Sequence, residues 1–275
     1  MTEDVPVDLP SDLDPTVPTT ARVYDALLGG TTNFAADREA AEVFASHIPQ
    51  ARECARLNRS ALIRGVEYLV RSAGIDQIVD IGCGLPTAQN THQVAQEIDP
   101  GAKVVYVDHD PMVVSHARAL LARNRNATVI GADLLEPEVI LAHPDLRSAL
   151  ELERPVALLI VGMIMQISDA QRPDDIIATL MGALPSGSHL LITSWPDTGE
   201  PEQAALSQAC IETLGNGWMR PIPALERHFL GMEMVAPGLE YVPRWFPEEP
   251  DRAVPEVADL EPYERTQMAG IARKA

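Results

Sequence analysis

Gln77-Ile78-Val79-Asp80-Ile81-Gly82-Cys83-Gly84 is the stretch that decides the fold. Ile78, Val79 and Ile81 are β-branched residues that suit a pleated strand, so 77–81 reads as a strand. Gly82 and Gly84 then let the backbone turn sharply and let a ligand approach with no Cβ in the way. The turn leads toward a helix whose first N–H groups favour a negative group or a carbonyl oxygen. A dinucleotide-binding turn would continue G-x-G-x-x-G, but here the segment is Gly82-Cys83-Gly84-Leu85-Pro86-Thr87 and the third glycine is missing. Asp80, two residues before the turn, can orient it and hold a cationic amino group directly or through water. That combination favours S-adenosylmethionine (SAM) over a nicotinamide dinucleotide.

Downstream, short apolar runs alternate with helical stretches. Strands are expected at Gln77–Ile81, Lys103–Asp108, Ala127–Gly131, 156–161 and His189–Ser194, with two more near the end at 232–236 and 268–272. Helices are expected at 90–98, 111–124, 173–183 and 202–214. This alternation predicts an α/β fold, a Rossmann-like, doubly wound, mainly parallel seven-stranded sheet with helices on both faces. Upstream, residues 19–74 read as helical. Thr19 or Thr20 can cap a first helix, Gly29-Gly30-Thr31-Thr32-Asn33 breaks the pattern, and Asp37 can cap a second helix. Leu62, Val66, Leu69, Val70 and Ala73 form one apolar stripe of a third, which Gly74 ends. The expected organisation is an acidic, Pro-rich tail at 1–18, disordered or loosely docked, then one domain with a helical cap (19–74) and a Rossmann-like core (75–275).

In an open parallel sheet, ligands bind at the carboxyl ends of the strands. Asp108 ends the second strand and can accept both hydroxyls of a ribose. Its interval from Gly84, 108 − 84 = 24, is near the roughly 20 residues expected. Asp110 before Pro111 suits a helix cap. His109 reads equally as a stacking partner for adenine or as an ordinary loop histidine. After the third strand, Asp133 can accept from the adenine amino group and Leu134 can cover the ring. After the fourth strand, Met163 and Gln166 face the substrate, and no acid, Asn or His stands there to activate a nucleophile.

The 275 residues carry a net charge of −19, which gives no electrostatic footprint for nucleic acid or an anionic membrane. No apolar run approaches the ~18 residues of a membrane span. Cys54, Cys83 and Cys210 show neither metal-ligand spacing nor a disulfide framework, so no metal is expected. With no basic, apolar leader pattern in the first residues, the expected location is the cytoplasm. The sequence leaves a homodimer open.

With these positions in hand, the chain resembles class I SAM-dependent methyltransferases, and within them the S-adenosyl methyltransferase family formerly catalogued as a domain of unknown function. The resemblance rests on Pro18-Thr-Thr-Ala-Arg22-Val-Tyr24-Asp25-Ala-Leu-Leu-Gly29-Gly30-Thr-Thr-Asn33-Phe34-Ala-Ala-Asp37-Arg38, on the Asp80–Thr87 turn, on Val105-Tyr-Val-Asp108-His-Asp110-Pro111, and on Ala236-Pro-Gly-Leu239 with Trp245. It implies that the N-terminal block folds over the cofactor and that Arg22, Tyr24, Gly30 and Asn33 contact SAM. It also implies methyl transfer, for which a small-molecule acceptor suits the acidic surface. Two other readings stay open: a protein that binds SAM without transferring its methyl, and an NAD-dependent oxidoreductase.

Overall fold

The structure is a computed structural model that describes residues 13–87, 89–246 and 253–275. The first twelve residues of the expected tail lie outside the described residues. Strands β1 (Gln77–Ile81), β2 (Lys103–Asp108), β3 (Ala127–Gly131), β4 (Ala157–Ile160) and β5 (His189–Ser194) run parallel. They are followed by β6 (Glu233–Met234), β7 (Glu240–Tyr241) and β8 (Met268–Arg273), which pair antiparallel. The spatial order is β3-β2-β1-β4-β5-β8-β6, with β7 also on β8. The sheet therefore has eight strands, not seven. The stretch expected as one strand at 232–236 narrows to two residues, turns at Gly238 with its N–H on the Val235 carbonyl at 2.8 Å, and returns as β7. Two-residue ladders are too short to leave a periodic signal.

The helices are α1 (Thr20–Leu27), α2 (Ala35–His47), α3 (Ala51–Glu67), α4 (Thr91–Ile98), α5 (Pro111–Leu121), α6 (Pro137–Ala142), α7 (Pro144–Ala149), α8 (Pro173–Gly182), α9 (Pro201–Leu214) and α10 (Ile222–Arg227). A π-helical turn, Tyr68–Ser72, prolongs α3.

Because side chains alternate along a strand, the central strands divide into two cores. Ile78, Val104, Tyr106, Leu159 and Leu191 pack beneath Val66 and Leu69 of the α3 segment, Val94 of α4 and Ala117 of α5. Val79, Val105, Leu158, Ile160 and Leu190 pack against Ile140 of α6, Leu146 of α7 and Ile177 of α8 on the other side. The same alternation puts Asp80 and Asp108 on the α3 face, two and four residues beyond Ile78 and Val104. Gly65 lets α3 lie close to that face, since a Cβ there would meet a Leu191 methyl at 2.5 Å.

α1 and α2 form the outer part of the cap and pack on α9 through Val23, Ala41, Phe44, Leu206 and Cys210. Asp37 caps α2 from the helix's third position, not from the residue before it, since α2 begins at Ala35. Its buried carboxylate accepts from the Phe34 N–H (2.8 Å), the Thr19 N–H (3.1 Å) and Arg22 Nε (2.9 Å). Arg22 is equally buried, packs 5.2 Å from the Phe34 ring and donates to the Val17 and Asp14 carbonyls. One ion pair thus ties α1, α2 and the preceding segment together. Removing one member of such a pair strands its partner's charge. Asp37→Ala should lower unfolding free energy by about 3–5 kcal/mol in a denaturant titration; a loss below about 1 kcal/mol would contradict this role.

Candidate functional site

A cavity of about 560 Å³ opens at the carboxyl ends of β1, β2 and β4. Residues 13–22 roof it, α3 walls it with Asn58, Arg59 and Leu62, and Leu214 and Asn216 close its far side. The turn after β1 forms its floor. Gly82 and Gly84 have φ of +70° and +66°. A Cβ on Gly82 would lie 2.1 Å from Met163 Sδ, whereas Gly84 faces open space. The turn is pinned to the next strand: Gly82 N–H donates to the Val107 carbonyl at 2.8 Å, and Gly84 N–H to Asp108 Oδ2 at 3.0 Å. Asp108 Oδ1 accepts from the Asp110 N–H at 3.0 Å. Each Asp108 oxygen therefore holds one backbone donor, and Oδ2 also receives the Cys83 thiol at 4.0 Å. Asp110 caps α5, as expected, with Oδ1 accepting from the Met112 N–H at 2.8 Å, and its Oδ2 accepts from the Thr19 hydroxyl of the roof at 3.4 Å.

Asp80 is buried beside this turn and accepts from the Thr91 hydroxyl at 2.6 Å. Loss of water pushes its carboxyl up to about 6, opposed by the Thr91 bond and the Arg59 cation and reinforced by the Asp108 charge. Burial also raises Asp108, against its two backbone donors. The helix that the turn leads to, α4, begins at Thr91, within a residue of the expected start, and Gln93 Oε1 accepts from the Asn90 N–H at 2.8 Å. The first turn of α4 is thus engaged in its own cap. His109 stands at the rim with its side chain 67% exposed.

Of the residues singled out by sequence, Asp80, Gly82, Gly84, Asp108 and His109 line the cavity. Arg22, Tyr24, Met163 and Gln166 join them. Arg22 does so with its charge committed to Asp37. Four do not line it. Gly30 and Asn33 wrap Asp25: a Cβ on Gly30 would sit 2.0 Å from the Asp25 carboxylate, and Asn33 Nδ2 donates to it at 2.8 Å. Their block is a structural turn that anchors α1. Leu134 is buried in the core on the far face of the sheet, and Asp133 Oδ1 accepts from the Leu135 N–H at 2.9 Å within the turn after β3.

Among the lining residues that the sequence reading did not single out, three polar ones stand out, Asn58, Arg59 and Asn216. Asn58 precedes Leu62 by four positions, so it is a buried polar residue on an apolar stripe, and that was the available signal. Arg59 follows it. Asn216 donates from Nδ2 to the Thr20 hydroxyl at 2.9 Å, joining the end of α9 to the roof, and nothing in the sequence announced it. The 163–166 loop is held from behind. Gly217 and Trp218 N–H groups donate to the Met165 carbonyl at 2.9 and 2.8 Å. The buried Arg220 guanidinium donates to the Ile164 carbonyl at 2.9 Å and the Ile167 carbonyl at 2.5 Å.

A family model described as S-adenosyl methyltransferase matches residues 7–275. The chain belongs to the S-adenosyl methyltransferase family. A candidate methyltransferase from Thermobifida fusca YX is 48% identical in its crystal structure, over 96% of this chain and 98% of that one, with a TM-score of 0.91. A DUF574 family protein from Streptomyces avermitilis MA-4680 is 32% identical over 95% and 99% of the two chains, with a TM-score of 0.88. Human N-acetylserotonin methyltransferase, solved in complex with SAM, shares the fold at 14% identity and a TM-score of 0.51, over 92% of this chain and 62% of that one. No curated protein matches the sequence. SAM is the cofactor and methyl transfer the activity, so the oxidoreductase and the non-catalytic readings give way. The residues present fit the cofactor: an open glycine turn, and two buried carboxylates facing a ligand that brings positive charge.

A carboxyl raised from its usual 3.8 to about 6 adds stability below pH 3.8 that is lost as pH rises through 6. At pH 7.5, ionised Asp80 is therefore a cost to the ligand-free fold. Asp80→Asn keeps an acceptor for Thr91, and it should raise the melting temperature of the SAM-free protein at that pH by a few degrees. It should also flatten the dependence between pH 5 and 7. An unchanged melting curve at both pH values would contradict the assignment.

Proposed function

We propose that this methyltransferase acts on a small-molecule acceptor that enters the cavity beside SAM. The observation that carries this reading is the roof: residues 13–22 stand over the strand ends, so an acceptor must fit within a partly covered cavity. The acids Asp14, Asp80, Asp108 and Asp110 line that space, which disfavours a polyanionic acceptor such as nucleic acid. The cavity's size lies in the range of small-molecule sites. Three unpaired cysteines are in keeping with a reducing compartment, and the cytoplasm is the location we propose. Among the described residues, no helix is long and apolar enough to cross a membrane.

In this reading Asp108 accepts from the ribose hydroxyls, the 82–84 backbone lies under the nucleoside, and His109 flanks the adenine at the rim. Asp80 offers its carboxylate to the methionyl ammonium. Bound SAM supplies an electrophilic methyl group on a sulfonium. Met163 and Gln166 bound the acceptor side. Gln166 is itself held, donating to the Gly162 carbonyl at 2.8 Å. Neither Met163 nor Gln166 can take a proton, so the acceptor must bring its own nucleophilic lone pair. The protein's contribution is then alignment on a rigid loop and exclusion of water by the roof.

Calorimetry should show SAM and S-adenosylhomocysteine binding with one site per chain. Asp108→Ala should weaken both by roughly 10- to 100-fold, the worth of hydrogen bonds to a charged acceptor; undiminished affinity would remove Asp108 from the ribose site. Incubated with labelled SAM, small phenols and amines should take up the label. Transfer confined to nucleic acid or protein acceptors would overturn the small-molecule assignment.

A further inference from the structure

Four hydrogen bonds beside the cavity join five polar groups in a chain that runs in one direction. The Gly162 N–H donates to Thr193 Oγ1 at 2.8 Å, and the Thr193 hydroxyl donates to Asn58 Oδ1 at 2.6 Å. Asn58 Nδ2 donates to the Tyr24 hydroxyl at 3.1 Å, which donates to the Ala55 carbonyl at 3.0 Å. The chain joins the loop after β4, the end of β5, α3 and α1. Backbone groups close both ends, and this fixes every polarity between them. The Ala55 carbonyl can only accept, so Tyr24 gives it its one proton and takes an N–H from Asn58, which leaves Asn58 Oδ1 to receive the Thr193 proton. The Asn58 atom facing Thr193 is therefore its oxygen, and its amide nitrogen faces Tyr24 and the cavity. Tyr24 spends its own proton on Ala55, so toward the cavity it presents only a lone pair.

Thr193 is fully buried and does not line the cavity. It lies on the α3 face of the sheet, two residues beyond Leu191. Asn58 and Tyr24 do line the cavity, beside Asp80 and Gly162. Asn58 carries a second Nδ2–H, and no described residue accepts it. Gly162, with φ of +70°, packs closely on this amide: a Cβ would stand 3.0 Å from Asn58 Nδ2, so the amide would have to give by a few tenths of an ångström.

We propose that Asn58 is a cofactor-positioning residue, presenting an N–H donor to the methionyl end of SAM, and that Thr193 holds it in that orientation from outside the cavity. This rests on the reading of the cavity as the SAM site. Tyr24 supplies the neighbouring acceptor, so one corner offers a donor for a carboxylate and a lone pair for an ammonium. The chain also makes the position of the cap sensitive to the Gly162 backbone, where cofactor and acceptor meet.

The test is calorimetry with S-adenosylhomocysteine on the full chain, recording affinity and stoichiometry together. Thr193→Val keeps the shape and removes the hydroxyl, leaving the Asn58 amide free to turn over. It should weaken binding about tenfold at an unchanged one-site stoichiometry. Thr193→Ser restores the hydroxyl and should bind as the wild type does. A purely structural role would lower the melting temperature without moving the affinity of the folded protein, so wild-type affinity in Thr193→Val overturns the proposal. If Thr193→Val does not fold, Asn58→Asp serves instead. It keeps the acceptor for Thr193 but replaces the donor, so it should also bind at least tenfold more weakly, and unchanged affinity would again overturn the proposal. A wild-type protein that binds neither SAM nor S-adenosylhomocysteine would instead fail the cofactor site itself.

Discussion

The Asp108 carboxylate is the constraint on which the site depends. It ends β2, and the parallel register that sets Ile81 beside Val107 brings it against the turn leaving β1. One oxygen holds the Gly84 N–H and the other the Asp110 N–H, so one side chain fixes both the glycine turn and the start of α5. This carboxylate is buried, and so is Asp80 nearby. Burial raises the cost of ionising both acids, and the Asp108 charge adds to it for Asp80, the Asp110 charge for Asp108. A ligand that brings positive charge relieves that cost, and a neutral or anionic one does not. The electrostatics of this cavity in that sense suit a ligand that carries positive charge, as SAM does.

A second buried charge pair, Arg22 with Asp37, does the matching work for the roof. It holds residues 14–19 to α2, and the Thr19 hydroxyl carries the contact across to Asp110. The roof and floor of the cavity therefore meet at the α5 cap, one residue after the rim histidine. Behind the opposite end, Arg220 and the Gly217–Trp218 backbone fix the methionine-bearing loop. A loop held this firmly suits a site that accelerates by alignment, since neither Met163 nor Gln166 can act as an acid or base.

The sheet was legible because its strands are long apolar runs whose burial on both faces overrides local ambiguity. Asp80, Gly82, Gly84 and Asp108 were legible because backbone sterics and strand ends restrict where such residues can serve. The four that the structure leaves outside the cavity failed for a common reason: each is a turn or core residue whose near neighbours satisfy it. Asn33 is held by Asp25, Asp133 by the Leu135 N–H, and Leu134 by the core on the far face. Their spacing in the chain carries no record of those partners. Asn58 and Thr193 stayed hidden for the converse reason. They lie 135 positions apart and meet only because α3 crosses the end of β5. Glu233–Met234 and Glu240–Tyr241 are strands only by pairing with β8, which no local pattern announces.

The most direct measurement of the central claim is a crystal structure of the protein with S-adenosylhomocysteine. The account predicts the ribose hydroxyls on the Asp108 carboxylate, the nucleoside over the 82–84 turn beneath residues 13–22, and the thioether sulfur turned toward Met163. A ligand bound elsewhere, or with its ribose away from Asp108, would contradict it.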